Sequence, residues 1–201
     1  MSAYVIGDIN VTDPETFAKY ASLVPASSGA FGCKYLVRGP DKCEPVEGDW
    51  NPKRFVLAEY KDVDTIKAWY YSEEYKELTK LRQSASTGSL LVANGVELSE
   101  LGRDAGQPGY LVADIEVTDP DIYTEYAAGV PDTVAAYGGR YLIRGAQGEV
   151  LEGSWTPKRV VVLEFESLER VKEWYNSPEY ADLKKLRHRA SKGNAIFAEG
   201  G

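Results

Sequence analysis

One sequence pattern occurs twice in this chain, and the repeat limits the possible folds more than any other feature. GDWNPKRFVLAEY at positions 48–60 returns as GSWTPKRVVVLEF at positions 153–165. Upstream matches such as Thr-Asp-Pro at 12–14 and 118–120 are 106 residues apart, and the offset falls to 105 at the tryptophan run. A period of this length is a whole domain, because the units that stack into solenoids have roughly 20 to 50 residues. The chain is therefore predicted to contain two copies of one domain.

The segment between the two copies has the composition of a solvated connector. GVELSELGRDAGQP, from Gly95 to Pro108, contains three glycines, a proline and four charged residues. Such a composition favours exposed, irregular backbone. The sequence predicts a first domain at 1–94, a linker at 95–108 and a second domain at 109–201.

Each copy has the strand and helix pattern of a ferredoxin-like fold. YVIGDINV and YLVADIEV are rich in β-branched and aromatic residues, and each stops at Thr-Asp-Pro, where a helix can be capped. A second strand follows that helix, then a loop punctuated by glycine, and the tryptophan run opens a third strand. A long helical stretch, interrupted near Ser72 and Ser177, and a last strand complete each copy. The predicted order is βαββαβ.

This order predicts an antiparallel sheet with helices on one face only, so the other face also needs cover. The second copy of the same sheet is the obvious cover. We therefore predict an α+β protein in which two ferredoxin-like βαββαβ repeats pack sheet to sheet as an intramolecular pseudo-dimeric α+β barrel, with a cavity between the sheets. Further homo-oligomerisation stays open.

Charge and hydropathy exclude several classes of partner. The formal net charge of −8 argues against a nucleic-acid surface, because binding a phosphate backbone needs clustered Lys and Arg. No apolar run approaches the roughly 18 residues that cross a bilayer, so no membrane partner is predicted. The N-terminal residues MSAYVIGDIN lack the basic and apolar segments of a secretory signal. We expect a cytoplasmic protein whose partner is a small-molecule substrate.

Several motifs together resemble one known family. GGRYLIRG, Gly-x-Trp-x-Pro-Lys-Arg, WYNSPEY and LRxxASxG are similar to the DUF1330 family within the dimeric α+β barrel superfamily. The match extends through nearly all of both copies. The resemblance implies that single-copy members pair into homodimers and that this chain is similar to such a dimer fused into one polypeptide. The superfamily includes cofactor-free oxygenases, polyketide cyclases, isomerases and haem enzymes, so the fold alone selects no reaction.

The second copy keeps these motifs better than the first. The first copy has Phe-Gly-Cys-Lys at 31–34 where the second has Tyr-Gly-Gly-Arg at 137–140. The first copy also has Tyr-Ser-Glu at 71–73 where the second has Asn-Ser-Pro at 176–178. We therefore expect the second copy to retain any ancestral site.

Two glutamates and the single histidine are the candidates for acid–base chemistry. Glu59 and Glu164 end the apolar runs FVLA and VVVL, and strand alternation places each on an apolar sheet face. A carboxylate there must be paired, lie at the rim or have a raised pKa. Catalysis and an ion pair with Arg38 or Arg144 of the neighbouring strand are both open. His188 lies between two arginines and is either a neutral general base or a solvated helix residue.

Recurring arginines and aromatic residues are the candidates for substrate binding. The guanidinium group is a fork-shaped donor that binds carboxylates and enolates, and tryptophan and tyrosine can wall an apolar pocket while their polar groups face inward. Packing in the core is the alternative for each aromatic residue. The candidates are Arg38, Arg82, Tyr20, Trp69 and Tyr75 in the first copy, and Arg144, Arg187, Tyr126, Trp174 and Tyr180 in the second.

No cofactor or metal site is predicted. A single histidine and the lack of a local cluster of acids argue against metal or haem binding. GGRYLIRG lacks the ending of a P-loop and the spacing of a Rossmann loop. Cys33 and Cys43 have no cysteine counterparts in the second copy and are expected to be reduced.

Together these residues predict a cofactor-independent enzyme of lyase, isomerase or cyclase type. Its substrate would be a small, partly apolar metabolite that is carboxylated or enolisable. Glu164, His188 or Glu59 would be the acid or base, and Arg144 and Arg187 would hold the anionic or enolate oxygen. The alternative is a non-catalytic small-molecule-binding or structural protein in which the same residues join sheet and helices.

Overall fold

The computed structural model describes residues 1–97 and 106–201. The central part of the predicted linker, 98–105, lies outside the described residues, so the linker boundaries stay a prediction. No helix in the described ranges is long and apolar enough to cross a membrane.

The two repeats contain the same elements in the same order. The first repeat has β1 (Ala3–Val11), α1 (Pro14–Gly29), β2 (Lys34–Pro40), β3 (Cys43–Glu47), β4 (Arg54–Tyr60), α2 (Val63–Tyr70), α3 (Glu73–Ala85) and β5 (Ser86–Asn94). The second repeat has β6 (Gly109–Val117), α4 (Pro120–Ala136), β7 (Arg140–Ala146), β8 (Glu149–Glu152), β9 (Val160–Phe165), α5 (Leu168–Tyr175), α6 (Pro178–Ala190) and β10 (Ser191–Glu199). The α+β class and the βαββαβ framework of both repeats are confirmed.

Side-chain caps start the helices where the sequence predicts them. Asp13 accepts hydrogen bonds from the backbone N–H groups of Glu15 and Thr16, and Pro14 occupies the first turn of α1. Ser72 separates α2 from α3 and accepts a hydrogen bond from the Tyr75 N–H at 3.2 Å. The second repeat uses an aspartate and a serine at the corresponding positions. The break in the long helical stretch is therefore a new helix start.

The segment before each tryptophan run contains a strand, and its interpretation as a loop was wrong. The short strands β3 and β8 have four or five residues each and contain charged residues or proline, so their local pattern is weak. They form because each adds to the edge of a sheet. β8 pairs with β5, and β3 pairs with β10, both antiparallel.

Each of the two sheets consequently has five strands, one of which comes from the other repeat. The first sheet has the order β2-β4-β1-β5-β8 and the second has the order β3-β10-β6-β9-β7. The chain divides into two compact units on the same lines. The first unit comprises 1–42, 52–97 and 148–157. Of the described residues, the second unit comprises 43–51, 106–147 and 158–201. The compact units therefore differ from the two sequence repeats by an exchange of one short segment each, which contains a single edge strand.

The core of each unit lies between the sheet and its helices. In the first unit Ile66 and Trp69 of α2 pack with strand residues such as Val5 and Val92. In the second unit the Trp174 side chain is 1% exposed, and its ring stacks on Tyr180 with centroids 4.3 Å apart. Burial of one such large side chain contributes roughly 1.5–3 kcal/mol, so the helices are held mainly by their apolar faces.

Candidate functional site

A cavity of the first unit lies between its sheet and its helices. The empty volume is about 580 Å³, including the space at its mouth. The walls are largely apolar or aromatic, with three arginines among them. The main lining residues are Val5, Ile9, Val24, Val56, Ala58, Leu90, Phe17, Tyr20, Tyr35, Tyr60, Trp69, Tyr75, Arg38, Arg54 and Arg82.

The structure brings all five binding candidates of the first copy together at this cavity. They are Arg38, Arg82, Tyr20, Trp69 and Tyr75. Trp69 and Tyr75 also pack against each other, with ring centroids 4.0 Å apart, so their core and lining roles coincide. Their role in binding a substrate stays a prediction.

Arg82 is the most buried charged group of this cavity. Its side chain is 3% exposed, and its two terminal nitrogens donate to the two carboxylate oxygens of Glu152 at 2.7 and 2.8 Å. Tyr70 and Gln83 donate to the same carboxylate at 3.0 and 2.9 Å. Burial raises the pKa of Glu152, but the hydrogen bonds and charge of Arg82 outweigh burial and hold the pKa below its usual value. The pair is therefore ionised and its net charge is zero.

One nitrogen of Arg82, which lines the cavity, forms no hydrogen bond with the described residues. Its Nε is buried and has no hydrogen-bond partner within the described residues. The hydroxyl of Tyr75 is instead hydrogen-bonded to the hydroxyl of Tyr20 at 3.2 Å. In the second unit the corresponding nitrogen of Arg187 donates to the Tyr180 hydroxyl at 3.1 Å. The two units thus use the same arginine differently.

Two tyrosine hydroxyls of the first cavity, those of Tyr20 and Tyr35, have raised pKa values. Burial, followed by the neighbouring Tyr75, raises the pKa of Tyr20 well above its ordinary value. Burial also raises the pKa of Tyr35, whose hydroxyl lies 3.1 Å from the Ser28 hydroxyl. These groups can donate a hydrogen bond to an oxygen atom but cannot act as bases near pH 7.

Arg38 and Arg54 line the same cavity and are half-buried, closer to solvent than Arg82. Arg38 donates to the Ala21 carbonyl at 2.6 Å, and the Arg54 guanidinium lies 5.0 Å from the centroid of the Phe17 ring. Burial, and then the positive charge of Arg38, lower the pKa of Arg54. No carboxylate of the described residues contributes to this shift. This end of the cavity therefore has an excess of positive charge.

In the second unit the corresponding space is divided into two smaller cavities. One, of about 390 Å³, is lined by Trp174, Tyr180 and Arg187, and the other, of about 300 Å³, by Arg144, while Tyr126 lines both. The second unit also has a larger side chain in the wall of this space than the first unit has. Leu163 lines the larger of the two at the position that Ala58 occupies in the first unit. The geometry therefore favours the first unit for a ligand, whereas the sequence motifs favoured the second.

The three acid–base candidates lie outside these three cavities. Glu164 is 6% exposed and accepts hydrogen bonds from Arg140 Nε at 2.8 Å and the Tyr110 hydroxyl at 3.2 Å. The ion-pair interpretation of Glu164 thus holds, but Arg140 takes the place of Arg144. Glu59 similarly accepts a hydrogen bond from a tyrosine hydroxyl, that of Tyr4 at 3.3 Å.

Arg144, which was predicted to pair with Glu164, and His188, which was predicted as an acid–base candidate, have other contacts. Arg144 lies over the Tyr141 ring, 5.0 Å from its centroid, so its predicted pairing with Glu164 was wrong. His188 is half-exposed, and its Nε2 lies 3.1 Å from a carboxylate oxygen of Glu47. This placement matches the solvated helix position rather than a base inside a cavity.

Glu47 and Glu152 are the functional candidates that sequence reasoning missed. Glu47 accepts from both terminal nitrogens of Arg187, one at 2.7 Å, and from the hydroxyl of Tyr175. Burial raises the pKa of Glu47, but Arg187 outweighs it and the pKa falls to about 2. A signal was present, because a glutamate precedes the Gly-x-Trp run in both copies at the offset of 105.

The glycine after each of these glutamates has a structural reason. Gly48 has φ +72° and Gly153 has φ +91°, both in the left-handed region. A Cβ on Gly153 would lie 2.3 Å from the Ser89 hydroxyl, and one on Gly48 would lie 2.2 Å from the Asn194 side chain. The glycine therefore lets the chain turn directly against the neighbouring strand, β5 or β10, after the glutamate is placed.

The fold and its cavities define a class: a tandem-repeat α+β protein with helix-covered antiparallel sheets and small-molecule-sized cavities. The particular family follows from the sequence. The model described as domain of unknown function (DUF1330) matches residues 2–96 and again residues 108–201, so the chain belongs to the DUF1330 family and contains it twice. None of the curated proteins matches the chain.

Solved structures share the fold at low sequence identity. A protein of Lactobacillus acidophilus NCFM, provisionally named a monooxygenase, is 11% identical, with 100% of this chain and 93% of that chain covered and a TM-score of 0.52. An anthrone oxidase-like protein is 13% identical, with 98% and 91% covered and a TM-score of 0.53. A mutant chlorite dismutase from Candidatus Nitrospira defluvii is 10% identical, with 100% and 91% covered and a TM-score of 0.53. At these identities the likeness shows a common fold only.

Proposed function

We propose that the protein acts on a small, partly apolar organic molecule with an acidic or enolisable oxygen group, which binds in the cavity of the first unit. The observation that carries this proposal is the buried Arg82 Nε, a donor without a partner among the described residues in a cavity with aromatic walls. A buried N–H group without a partner costs roughly 1–3 kcal/mol, and a ligand oxygen would remove that cost. Arg38 and Arg54 add positive charge that favours an anion.

The chemistry that this lining supports is stabilisation of an enolate. When a C–H bond beside a carbonyl breaks, the proton leaves to a base and the electron pair moves onto the carbonyl oxygen. The Arg82 Nε–H and the one hydroxyl hydrogen that the Tyr20–Tyr75 pair has left are preorganised donors for an oxygen that gains negative charge. This supports the cofactor-free lyase, isomerase or cyclase class that the sequence predicts. One structural relative is named as anthrone oxidase-like, and anthrone is an aromatic ketone of the proposed substrate class.

A second candidate is a binding protein without turnover. The lining residues that the structure describes in the first cavity include no carboxylate, imidazole or thiol that could remove a carbon-bound proton. Glu59, Glu164 and His188 lie elsewhere, so the base in the enzymatic proposal would be water or a group of the substrate itself. This absence within the described lining is what favours the second candidate.

Binding is tested by filling the cavity. We expect 4-isopropylbenzoate to bind the wild-type protein and to change the fluorescence of Trp69, which lines the cavity. Replacing Ala58 with leucine should weaken binding at least about tenfold, because it adds the bulk that Leu163 has in the second unit. The matched control is Ala195→Leu in the second unit, which should keep the wild-type affinity. Equal affinity of the Ala58→Leu variant and wild type would refute the proposed location.

Turnover is tested by enolisation. We expect the wild-type protein to accelerate the exchange of the methyl protons of 4-acetylbenzoate with deuterium in D₂O, followed by NMR. Tyr75→Phe should reduce this acceleration about tenfold or more, because it removes one hydroxyl of the Tyr20–Tyr75 pair. Binding of the probe without any acceleration over buffer would instead establish the second candidate.

A further inference from the structure

We infer that the first cavity recognises a two-ended ligand: a carboxylate held at the mouth by Arg38 and Arg54, and a second, uncharged carbonyl or hydroxyl oxygen held at the deep end by Arg82. The inference rests on the proposed function and names its ligand class, an aromatic or flat apolar acid with a separate oxygen group. The three arginines line one cavity, but their surroundings differ.

The deep end offers a hydrogen bond without net charge. Glu152 accepts hydrogen bonds from both terminal nitrogens of Arg82 and neutralises its charge, which leaves Nε as the guanidinium nitrogen without a partner among the described residues. The hydroxyls of Tyr20 and Tyr75 share one hydrogen bond, so one hydroxyl hydrogen of the pair is left to donate. A carboxylate buried there would lose its hydration without a positive charge of its own. A carbonyl or hydroxyl oxygen needs no more than these donors.

The mouth offers the opposite environment. Arg38 and Arg54 are half-buried and near enough for the charge of Arg38 to lower the pKa of Arg54. Two guanidinium groups without a neutralising carboxylate among the described residues are stabilised by an anion between them. The planar guanidinium fork matches the two oxygens of a carboxylate. Partial access to water also lowers the cost of placing a charged group here.

Aromatic rings connect the two ends. The Arg54 guanidinium lies 5.0 Å from the Phe17 ring centroid, Phe17 and Tyr20 lie 5.4 Å apart, and Arg82 lies 5.9 Å from the Tyr20 ring. The sheet supplies apolar side chains, including Ala58, to the same cavity. This combination fits a flat apolar body between the two polar groups of the ligand.

The second unit lacks this arrangement. Its Arg187 Nε is already bonded to the Tyr180 hydroxyl. The counterparts of Arg38 and Arg54, which are Arg144 and Arg159, line a cavity that does not include Arg187. Two-ended recognition is therefore confined to the first unit, and the second unit supplies matched control positions.

Three probes of similar shape test the inference by calorimetry. They are 4-acetylbenzoate, which has both groups, 4-isopropylbenzoate, which has only the carboxylate, and 4-methylacetophenone, which has only the carbonyl. We expect 4-acetylbenzoate to bind wild type about tenfold more tightly than either of the others. Arg82→Lys keeps the charge but lacks Nε–H, so it should abolish the preference for acetyl over isopropyl while 4-isopropylbenzoate binds within twofold of wild type. Arg54→Gln should weaken both benzoates about tenfold and leave 4-methylacetophenone unchanged.

The controls and outcomes separate the two proposals. Arg187→Lys and Arg159→Gln, the corresponding changes in the second unit, should leave all three affinities as in wild type. If 4-isopropylbenzoate binds as tightly as 4-acetylbenzoate, or if Arg82→Lys weakens both equally, the two-ended inference is wrong while the proposed function stands. If none of the probes binds, both are wrong. If the Arg82→Lys variant does not fold, the inference is decided by probe binding to the wild-type protein and to the folded Tyr75→Phe variant. The inference is overturned if wild type does not bind 4-acetylbenzoate more tightly than 4-isopropylbenzoate.

Discussion

Replacing Glu152 with alanine is expected to destabilise the protein by about 3–5 kcal/mol. The reason is that the Arg82 guanidinium remains buried after its partner is removed. The Arg82 side chain is 3% exposed, and without Glu152 its charge stays buried with no carboxylate at the 2.7 and 2.8 Å positions of its terminal nitrogens. Tyr70 and Gln83 lose their acceptor at the same time. The free energy of unfolding from urea denaturation, followed by circular dichroism, measures the loss.

A neighbour on the same strand is the matched control for this prediction. Glu149 pairs with Lys67, and its side chain is 53% exposed, so Glu149→Ala should cost less than about 1 kcal/mol. The double variant Glu152→Leu with Arg82→Met should recover much of the lost stability, because an apolar pair of similar volume leaves no charge buried. A Glu152→Ala protein within about 1 kcal/mol of wild type would show that the ion pair does not hold Arg82.

The free energy of unfolding is also expected to fall by about 2–3 kcal/mol through Glu47 as the pH drops from about 5 to about 2. Arg187 holds the pKa of Glu47 at about 2 in the folded protein, against an ordinary value of 4.5. Between these two values the unfolded chain binds a proton that the folded protein does not. The stabilisation is therefore complete above about pH 5 and is lost as the pH falls towards the folded pKa.

The Glu47 contribution is isolated by comparing pH profiles. Glu47→Gln should lower stability at pH 7 and flatten the acid limb of the profile by the same 2–3 kcal/mol, because glutamine does not titrate. Glu44→Gln on the same strand is the control, since Glu44 forms an exposed pair with Lys172. The Glu44→Gln variant should keep the wild-type dependence of the free energy of unfolding on pH. Identical slopes for the Glu47→Gln variant and wild type would contradict the assigned cause.

Both predictions depend on an exchange that places part of each site in the other repeat. Glu152 belongs to the second repeat but holds Arg82 of the first, 70 residues earlier in the chain. Glu47 belongs to the first repeat but holds Arg187 of the second, 140 residues later. In a fused pair of repeats, a change in one copy therefore acts on the arginine of the other.

Much of the candidate site could be predicted from local pattern. Helical spacing places Tyr20, Trp69, Tyr75 and Arg82 on inward faces, because this periodicity depends on nearby residues alone. Local pattern could not identify the glutamates that pair with Arg82 and Arg187. Glu59 and Glu164 stand out at the end of apolar runs, yet their contacts are with tyrosine hydroxyls and, for Glu164, with Arg140.

The sequence by itself determined the duplication, the α+β class, the order of helices and strands and the family, since repeats, caps and periodicity are local properties of the chain. Only the tertiary structure decided that the short segments before the tryptophan runs become edge strands, and that these carry Glu47 and Glu152 to the arginines of the other repeat. The physical reason is that a strand of four or five residues has little preference of its own. It forms by pairing with a sheet edge that is distant in the sequence, and that edge exists only once the chain has folded.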